Sequence, residues 1–302
     1  MKSGKQSQGV TASLTLVAML AFAANSVLAR LGLGESSIDP ASYTSVRLLS
    51  GAATLWAIAR FTSGDKNTAS AGSWTSGAML FFYAVTFSFA YITLSTGTGA
   101  LILFAAVQIT MIAMGLHSGE RPRPLEWLGL LIAIIGLIYL VSPGVTAPSL
   151  VGSLLMFTAG IAWGVYSIRG RGAVNPLAAT ADNFLRAVPM TLVMLLLFYS
   201  KVSVSQPGFL YAAASGAISS GVGYAIWYAA LRGLTATKAA TVQLSVPVLA
   251  AIGGVIFLSE PVTVRLTIAT IAILSGIGMT LWGHQRLINT VPIPADAQEP
   301  RA

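Results

Sequence analysis

Apolar residues in this chain run in stretches of membrane-spanning length, separated by short polar turns. A bilayer core about 30 Å thick needs about 20 apolar residues in a helix, and only helices or closed barrels satisfy their backbone there. The pattern therefore predicts an all-α integral membrane protein with ten transmembrane helices. Their predicted ranges are 9–30, 40–61, 74–95, 98–116, 124–142, 149–169, 179–200, 207–230, 236–258 and 262–283.

The second half of the chain repeats the span pattern of the first half at a distance of 139 to 140 residues. The corresponding residues are Arg30 and Arg169, Arg47 and Arg186, Ala100 and Ala240, Glu120 and Glu260, and Gly136 and Gly276. Five spans in each copy would invert the second copy relative to the first, which is a common architecture of secondary transporters. The predicted organisation is a first five-helix repeat over 1–143, a second, inverted repeat over 144–286, and a disordered cytoplasmic tail over 287–302.

Composition agrees with a membrane protein and narrows the partners. The chain has 302 residues, of which 55% are hydrophobic and 9% charged, whereas a soluble domain carries about a quarter charged residues. The net charge of +8 comes from basic residues scattered singly between apolar stretches, without the cluster that a nucleic-acid partner requires. The expected partners are the lipid bilayer and a small-molecule substrate.

The distribution of Lys and Arg predicts the orientation. With the N-terminus in the cytoplasm, the inner ends of the spans carry twelve basic residues and the outer ends three, namely Arg30, Lys201 and Arg265. Cytoplasmic loops are enriched in Lys and Arg. Both termini are therefore expected in the cytoplasm.

Short motifs at the repeat boundaries resemble those of a known family. Each half has a Gly-Glu or Ser-Glu step before its last helix, at Gly119-Glu120 and at Ser259-Glu260, and the second half has a proline in Val246-Pro247-Val248. The first half departs at the corresponding Ala106-Val107-Gln108. With Arg47 in span two, the chain resembles EamA-type members of the drug/metabolite transporter superfamily, and within them the amino-acid exporters of the bacterial inner membrane.

This resemblance implies a fold and an activity. The implied fold is a basket-like bundle around a central cavity, with helices five and ten at its periphery. The implied activity is export of amino acids and related metabolites across the bacterial inner membrane, and the two repeated halves favour an alternating-access cycle.

Amide side chains inside the predicted spans are the first candidates for contact with a substrate. Asn25, Gln108 and Gln243 lie within spans one, four and nine. Polar groups at such depths are costly, and an amide both donates and accepts, which suits a zwitterion. The alternative is an ordinary hydrogen bond between helices.

Aromatic side chains form the second candidate set. Tyr83, Phe87 and Tyr91 are spaced by four residues and form one stripe on span three. Tyr224, Trp227 and Tyr228 form a similar stripe on span eight. Tyr83, Phe87 and Tyr224 are predicted to line the cavity and Trp163 is a further candidate, whereas Trp74, Trp127, Trp227 and Tyr228 fit the aromatic belt of the membrane interface.

The charged residues inside the spans point to a neutral or zwitterionic substrate. Asp182 and Arg186 are one helical turn apart and are expected to pair. Arg47 has no partner in its own helix and could bind a substrate carboxylate, bond backbone carbonyls or snorkel to the interface. No span has an Asp or Glu at its midplane, which disfavours the alternative of a proton-coupled exporter of cationic drugs.

The sequence lacks the residue patterns that an enzyme or an ATP-driven transporter would need. The two histidines, His117 and His284, have no paired ligand spacing, and there is no cysteine, so neither a metal centre nor a nucleophile with its base is predicted. No Walker loop is present and no ATPase subunit is implied. The expectation is a facilitative carrier without a cofactor, in which Pro189 and Pro247 absorb the bending of helices.

Overall fold

The computed structural model describes residues 7–63, 72–119, 124–170, 173–234 and 236–288, apart from the side chains at 236, 237, 240, 241 and 283–288. Within these ranges the ordered elements are helices, joined at one point by an isolated antiparallel bridge between Ile38 and Val204. Glu120, Lys66 and most of the predicted tail lie outside the described residues. The all-helical class predicted from the apolar pattern is confirmed.

Twelve α-helices are described in these parts of the chain. They are α1 (Gln8–Gly34), α2 (Pro40–Ser63), α3 (Trp74–Ala90), α4 (Thr96–His117), α5 (Pro124–Val141), α6 (Leu150–Arg169), α7 (Pro176–Leu197), α8 (Gln206–Ala214), α9 (Gly223–Leu231), α10 (Ala236–Gln243), α11 (Ser245–Leu258) and α12 (Val264–Ile288). A π-helix, Ser215–Val222, joins α8 to α9 without a break, and a 3₁₀ turn, Tyr199–Lys201, follows α7.

Polar residues fix where several helices begin. The side chain of the cap residue accepts a hydrogen bond from a backbone N–H three residues later, which satisfies one of the free donors of the first turn. The caps of this kind are Ser7 of α1, Ser73 of α3, Ser149 of α6, Asn175 of α7 and Ser205 of α8.

Seven helical segments in the described ranges are long and apolar enough to cross a membrane. They are Gln8–Gly34, Thr96–His117, Pro124–Val141, Leu150–Arg169, Pro176–Leu197, Gln206–Leu231 and Val264–Trp282. The apolar helices α3 and α11 are shorter, and α2 carries Arg47 and Arg60. Every predicted span coincides with helical chain, while the count of ten crossings and the inverted repeat stay predictions.

The predicted ninth span is not one uninterrupted helix. Helix α10 ends at Gln243, a turn follows at Leu244, and α11 begins at Ser245. Pro247 has no N–H to donate to the carbonyl of Gln243, four residues earlier, so the helical ladder loses a bond where the break occurs. Pro189, in contrast, lies inside a continuous α7.

Helices α5 and α12 pack chiefly against each other. Their backbones touch where Gly129 faces the carbonyl of Gly276 and Gly136 faces Ala272 and Ile273. Small residues permit such close approach, which gains dispersion contacts in a bilayer where burial of apolar surface is not a driving force. The buried core includes a group of large aromatic side chains, among them Tyr43, Tyr83, Phe87, Phe184 and Tyr224.

Candidate functional site

Arg47 lies at the centre of the most polar part of the buried core. Only 2% of its surface is exposed, although it sits in the interior of α2. Its Nη2 donates to the Tyr83 hydroxyl over 2.9 Å, and its guanidinium lies 5.1 Å from the ring centre of Tyr83 and 4.8 Å from that of Phe87. This burial rules out the snorkelling position considered for Arg47, because no part of its head reaches an interface.

A chain of hydrogen bonds extends from Arg47 to the other half of the protein. The Tyr83 hydroxyl also accepts from Nδ2 of Asn25, over a longer distance of 3.4 Å. Oδ1 of Asn25 in turn accepts from the Ser215 hydroxyl over 2.5 Å. Because Ser215 is the first residue of the π-helix, this chain ties α1, α2 and α3 to the middle of the α8–α9 segment.

Several donors in this network have no acceptor. Nε and Nη1 of Arg47 are buried without a hydrogen-bond partner, as is the hydroxyl of Tyr43 one turn earlier on α2. Tyr83 accepts two hydrogen bonds and donates to no described group. Leaving a buried donor unsatisfied costs about 1–3 kcal/mol, and more for a charged group, so an acceptor-rich ligand would relieve a substantial penalty here.

Aromatic rings form a continuous wall beside the guanidinium. The Trp163 ring lies 4.9 Å from that of Tyr83 and is stacked on Tyr224 at 5.6 Å, with 17° between the planes. Tyr224 also contacts Phe22 at 5.6 Å and Phe184 at 6.2 Å. The wall therefore draws on both halves of the chain and offers flat apolar faces next to a positive charge.

Glycine and serine let the π-helix approach α2 at the level of Arg47. A Cβ atom at Gly216 would overlap the carbonyl oxygen of Arg47 and the hydroxyl of Ser50. Ser50 donates to the carbonyl of Ala213 over 3.2 Å, and at Gly221 a Cβ would lie 2.7 Å from the Thr54 side chain. The backbone that carries Ser215 is thus held directly against the helix that carries Arg47.

The structure brings some of the predicted site residues together and leaves others apart. One contiguous set, which we call the Arg47 cluster, contains Asn25, Arg47, Tyr83, Phe87, Trp163 and Tyr224. Gln108 is half-buried on α4, and its side chain makes no hydrogen bond to the described part of the chain. Gln243 ends α10 and bonds only to the carbonyl of Ala239, at 3.4 Å.

Two members of the cluster were not predicted, and one aromatic was placed wrongly. Ser215 and Tyr43 were missed, although Tyr43 precedes Arg47 by one turn and so shares its helix face. Trp227 was assigned to the interfacial belt, but only 8% of it is exposed and its ring lies 6.0 Å from that of Phe22. Trp227 therefore packs between helices, although it lies near the end of its span.

At the end of the bundle where α1 finishes, charged and backbone groups join the two halves. Glu260, between α11 and α12, pairs with Nε of Arg30 at 3.4 Å and accepts from the backbone N–H of Thr96 at 2.9 Å. Arg30 also donates to the carbonyls of Tyr91 and Ile92. We call this set the Glu260 clasp. Glu260 neutralises Arg30 and also stabilises the positive end of the α4 dipole.

At the opposite end a second set of contacts joins the halves. Asp182 and Asn183 on α7 accept from the backbone N–H groups of Gly72 and Ser73, each over 2.9 Å. Arg186 pairs with Asp182 at 3.3 Å, as its spacing predicted. We call this set the Asp182 clasp. The Arg47 cluster therefore lies between two closed ends.

A separate cavity of about 620 Å³ lies between α3, α6 and α7. Its lining is almost wholly apolar and includes Phe81, Phe89, Leu155, Met190 and Phe198. It contains none of the donors of the Arg47 cluster and lies on a face where apolar side chains are exposed, as suits contact with lipid tails. The residues predicted to line a central cavity instead touch one another, and a cavity between the halves stays a prediction.

The helical bundle and its membrane-length apolar segments are those of a multi-pass membrane protein. The model of the EamA-like transporter family matches the chain twice, over residues 10–142 and 150–282. The chain belongs to this family, and it is not an enzyme.

Relatives with established sequence similarity carry general names. The chain is 49% identical to the "Uncharacterized protein PA1977" of Pseudomonas aeruginosa over 90% of its own length and 94% of that protein. It is 25% identical to an "Uncharacterized transporter" of Archaeoglobus fulgidus, covering 88% of this chain and 96% of the other. The "Uncharacterized transporter YoaV" of Bacillus subtilis is 24% identical over 63% of this chain and 67% of that protein.

A solved structure shares the fold. The chain matches one described as "Crystal structure of protein" with a TM-score of 0.64 and 20% identity, covering 92% of this chain and 99% of that one. At this identity the likeness concerns the fold alone.

Proposed function

We propose that the protein exports neutral and aromatic amino acids across the bacterial inner membrane, with both termini in the cytoplasm, and that Arg47 holds the substrate carboxylate. The observation that carries the proposal is the buried guanidinium with two unpartnered nitrogens beside a wall of aromatic rings. Arginine presents its donors in a planar fork that matches a carboxylate. The aromatic wall suits an apolar side chain.

The charge of the site supports an anionic or zwitterionic substrate over a cation. The acidic residues in the described ranges are Glu35, Asp39, Glu126, Asp182 and Glu260, all of them between helices or in the first two turns of a helix. Within those ranges no carboxylate lies beside Arg47, so a cationic substrate would add a second positive charge that nothing neutralises. Motif similarity to amino-acid exporters such as YddG points the same way.

The two clasps suggest how the site opens. In the alternating-access cycle that we propose, ten crossings form two inverted repeats, and the Glu260 and Asp182 clasps open in turn. A substrate that takes the free donors of Arg47 would part the aromatic contacts around it. The helices can bend where their regular hydrogen bonding is already interrupted. Such places are the break before Pro247, the position of Pro189 in α7, and the π-helix.

The test is uptake of labelled phenylalanine and threonine into proteoliposomes, without nucleotide, with and without a proton gradient. We expect saturable uptake that the gradient does not alter, and we expect Arg47→Gln to reduce it at least about tenfold, since a hydrogen bond to a charged group contributes about 1.5–3 kcal/mol. Arg60→Gln is the matched control, because Arg60 is an exposed arginine in the last turn of the same helix.

Other outcomes would change the proposal in defined ways. Uptake by Arg47→Gln equal to that of the parent, with both proteins folded, would remove Arg47 from the substrate site. Absence of amino-acid flux together with gradient-dependent movement of a cationic dye would favour a proton-coupled drug exporter instead.

A further inference from the structure

The Arg47 cluster has donors for a carboxylate and no charged acceptor for an ammonium group. Three donors at Arg47 have no described acceptor: Nε and Nη1 of Arg47 itself, and the hydroxyl proton of Tyr83. The group that satisfies them must be rich in lone pairs. A carboxylate, with two oxygens that each accept two hydrogen bonds, fits this requirement.

Two neutral acceptors at the centre of the cluster are already engaged. Oδ1 of Asn25 accepts from Ser215, and the lone pairs of the Tyr83 hydroxyl accept from Arg47 and Asn25. The five described carboxylates stand near helix ends, where Glu260 and Asp182 are held by Arg30 and Arg186. An ammonium group bound here would meet aromatic faces, which attract cations, and also the repulsion of the Arg47 charge.

From this imbalance we infer that the site also accepts aromatic monocarboxylates that carry no amino group, and binds them at least as tightly as the matching amino acids. The inference rests on the proposed carboxylate-binding role of Arg47. It extends the substrate class to arylalkanoates such as 3-phenylpropionate, which is phenylalanine without its ammonium group. The carboxylate pairs with Arg47, and the ring lies against Trp163 and Tyr224.

Binding is the measurement of choice, because arylalkanoic acids cross a bilayer unaided in their protonated form and would obscure carrier-mediated flux. Isothermal titration calorimetry on the full-length protein in detergent would compare three ligands of the same shape. They are phenylalanine, 3-phenylpropionate and phenethylamine, the last of which keeps the ammonium group and lacks the carboxylate. We expect 3-phenylpropionate to bind with a Kd equal to or below that of phenylalanine, and phenethylamine to bind at least about tenfold more weakly.

Variants of Arg47 assign the effect to the guanidinium. Arg47→Gln should weaken both carboxylate ligands by at least about tenfold, and Arg47→Lys by less, because lysine keeps the charge and loses the fork. Arg60→Gln should leave both Kd values unchanged. The wild-type ligand series stands by itself if an Arg47 variant does not fold, which its thermal unfolding curve would reveal.

The outcomes separate this inference from the proposed function. A Kd for phenylalanine reproducibly below that for 3-phenylpropionate would overturn the inference and leave amino-acid export intact, since an acceptor for the ammonium would then exist. Binding of phenethylamine alone would overturn both. Equal or tighter binding of 3-phenylpropionate, lost in Arg47→Gln, would support both.

Discussion

At the scale of single residues, the Tyr83 hydroxyl is the group on which the polar centre depends. It is the common acceptor for Arg47 and Asn25, and through Asn25 it connects to Ser215. Tyr91 on the same helix stripe is equally buried, yet its hydroxyl serves one neutral contact, a hydrogen bond to the carbonyl of Thr96 at 3.2 Å. The two tyrosines therefore form a matched pair for substitution.

We expect Tyr83→Phe to lower both stability and substrate affinity, and Tyr91→Phe to lower stability only. Removing the Tyr83 oxygen leaves two buried donors without an acceptor, at a cost of about 1–3 kcal/mol each. The thermal midpoint in detergent and the Kd for phenylalanine measure the two effects. Equal losses of affinity in both variants would show that Tyr83 acts only through packing.

Part of the cluster could be predicted from the sequence, because a residue's depth in a span and its spacing along a helix follow directly from its position in the chain. Asn25, Arg47, Tyr83 and Tyr224 stand out as polar or aromatic residues inside apolar stretches. Ser215 does not, because it lies in a run of Ala, Gly and Ser whose members all fit close packing. Only the contact with Asn25, 190 positions away in the chain, distinguishes it.

At the scale of elements, the π-helix and α2 approach each other too closely for a side chain at position 216. The overlap that any Cβ at Gly216 would make involves a backbone carbonyl, which cannot rotate away. The region also sets the distance between Ser215 and Asn25. The packing of this one helix pair therefore determines the geometry of the hydrogen bonds around Asn25 and Arg47.

Gly216→Ala is expected to destabilise the protein by about 1–3 kcal/mol, the usual cost of overpacking a tight interior. Gly278→Ala is the matched control, since a Cβ on that helical glycine meets no atom within 4 Å, and alanine favours a helix by up to about 1 kcal/mol. Thermal unfolding of the two variants in the same detergent gives the comparison. A stability of Gly216→Ala at or above that of Gly278→Ala would contradict the close approach.

Element types followed from the apolar pattern, while interruptions did not. The predicted ninth span has the length and apolarity of one helix, yet it is broken at Leu244. Pro247 is visible in the sequence, but Pro189 is equally visible and leaves α7 continuous. A proline breaks a helix or not depending on whether neighbouring helices satisfy the carbonyl four residues before it. The amino-acid sequence alone does not show which groups lie next to that carbonyl.

At the scale of the whole molecule, the two clasps hold the halves together at opposite ends. Each joins a carboxylate of the C-terminal half to backbone or arginine groups of the N-terminal half. The repeat spacing drew attention to Arg30 and Glu260 separately. The ion pair between these two residues became visible only in the folded structure.

Glu260→Gln should loosen the end of the bundle where α1 finishes, because an amide loses the ion pair with Arg30 and is a weaker acceptor for the Thr96 N–H. The chain has no cysteine, so a single Ser26→Cys, buried one turn before Arg30, reports access at that end. Its reaction rate with a maleimide in detergent is expected to rise when Glu260→Gln is added.

The control for this experiment is Glu35→Gln, an exposed acid at the same end of α1. It should leave the Ser26→Cys reaction rate unchanged. Equal rates with and without Glu260→Gln would mean that the clasp does not restrict access.

The lack of a described carboxylate beside Arg47 also bears on what membrane voltage does to the cargo. A zwitterion carries no net charge across the bilayer, so a potential neither helps nor opposes its movement. An arylcarboxylate leaves as an anion, and a potential of about 100 mV, negative inside, favours its exit by about 2.3 kcal/mol, or about 50-fold in concentration. One arginine without a counter-ion would thus let the same carrier be driven by voltage for one class of cargo and by concentration alone for the other.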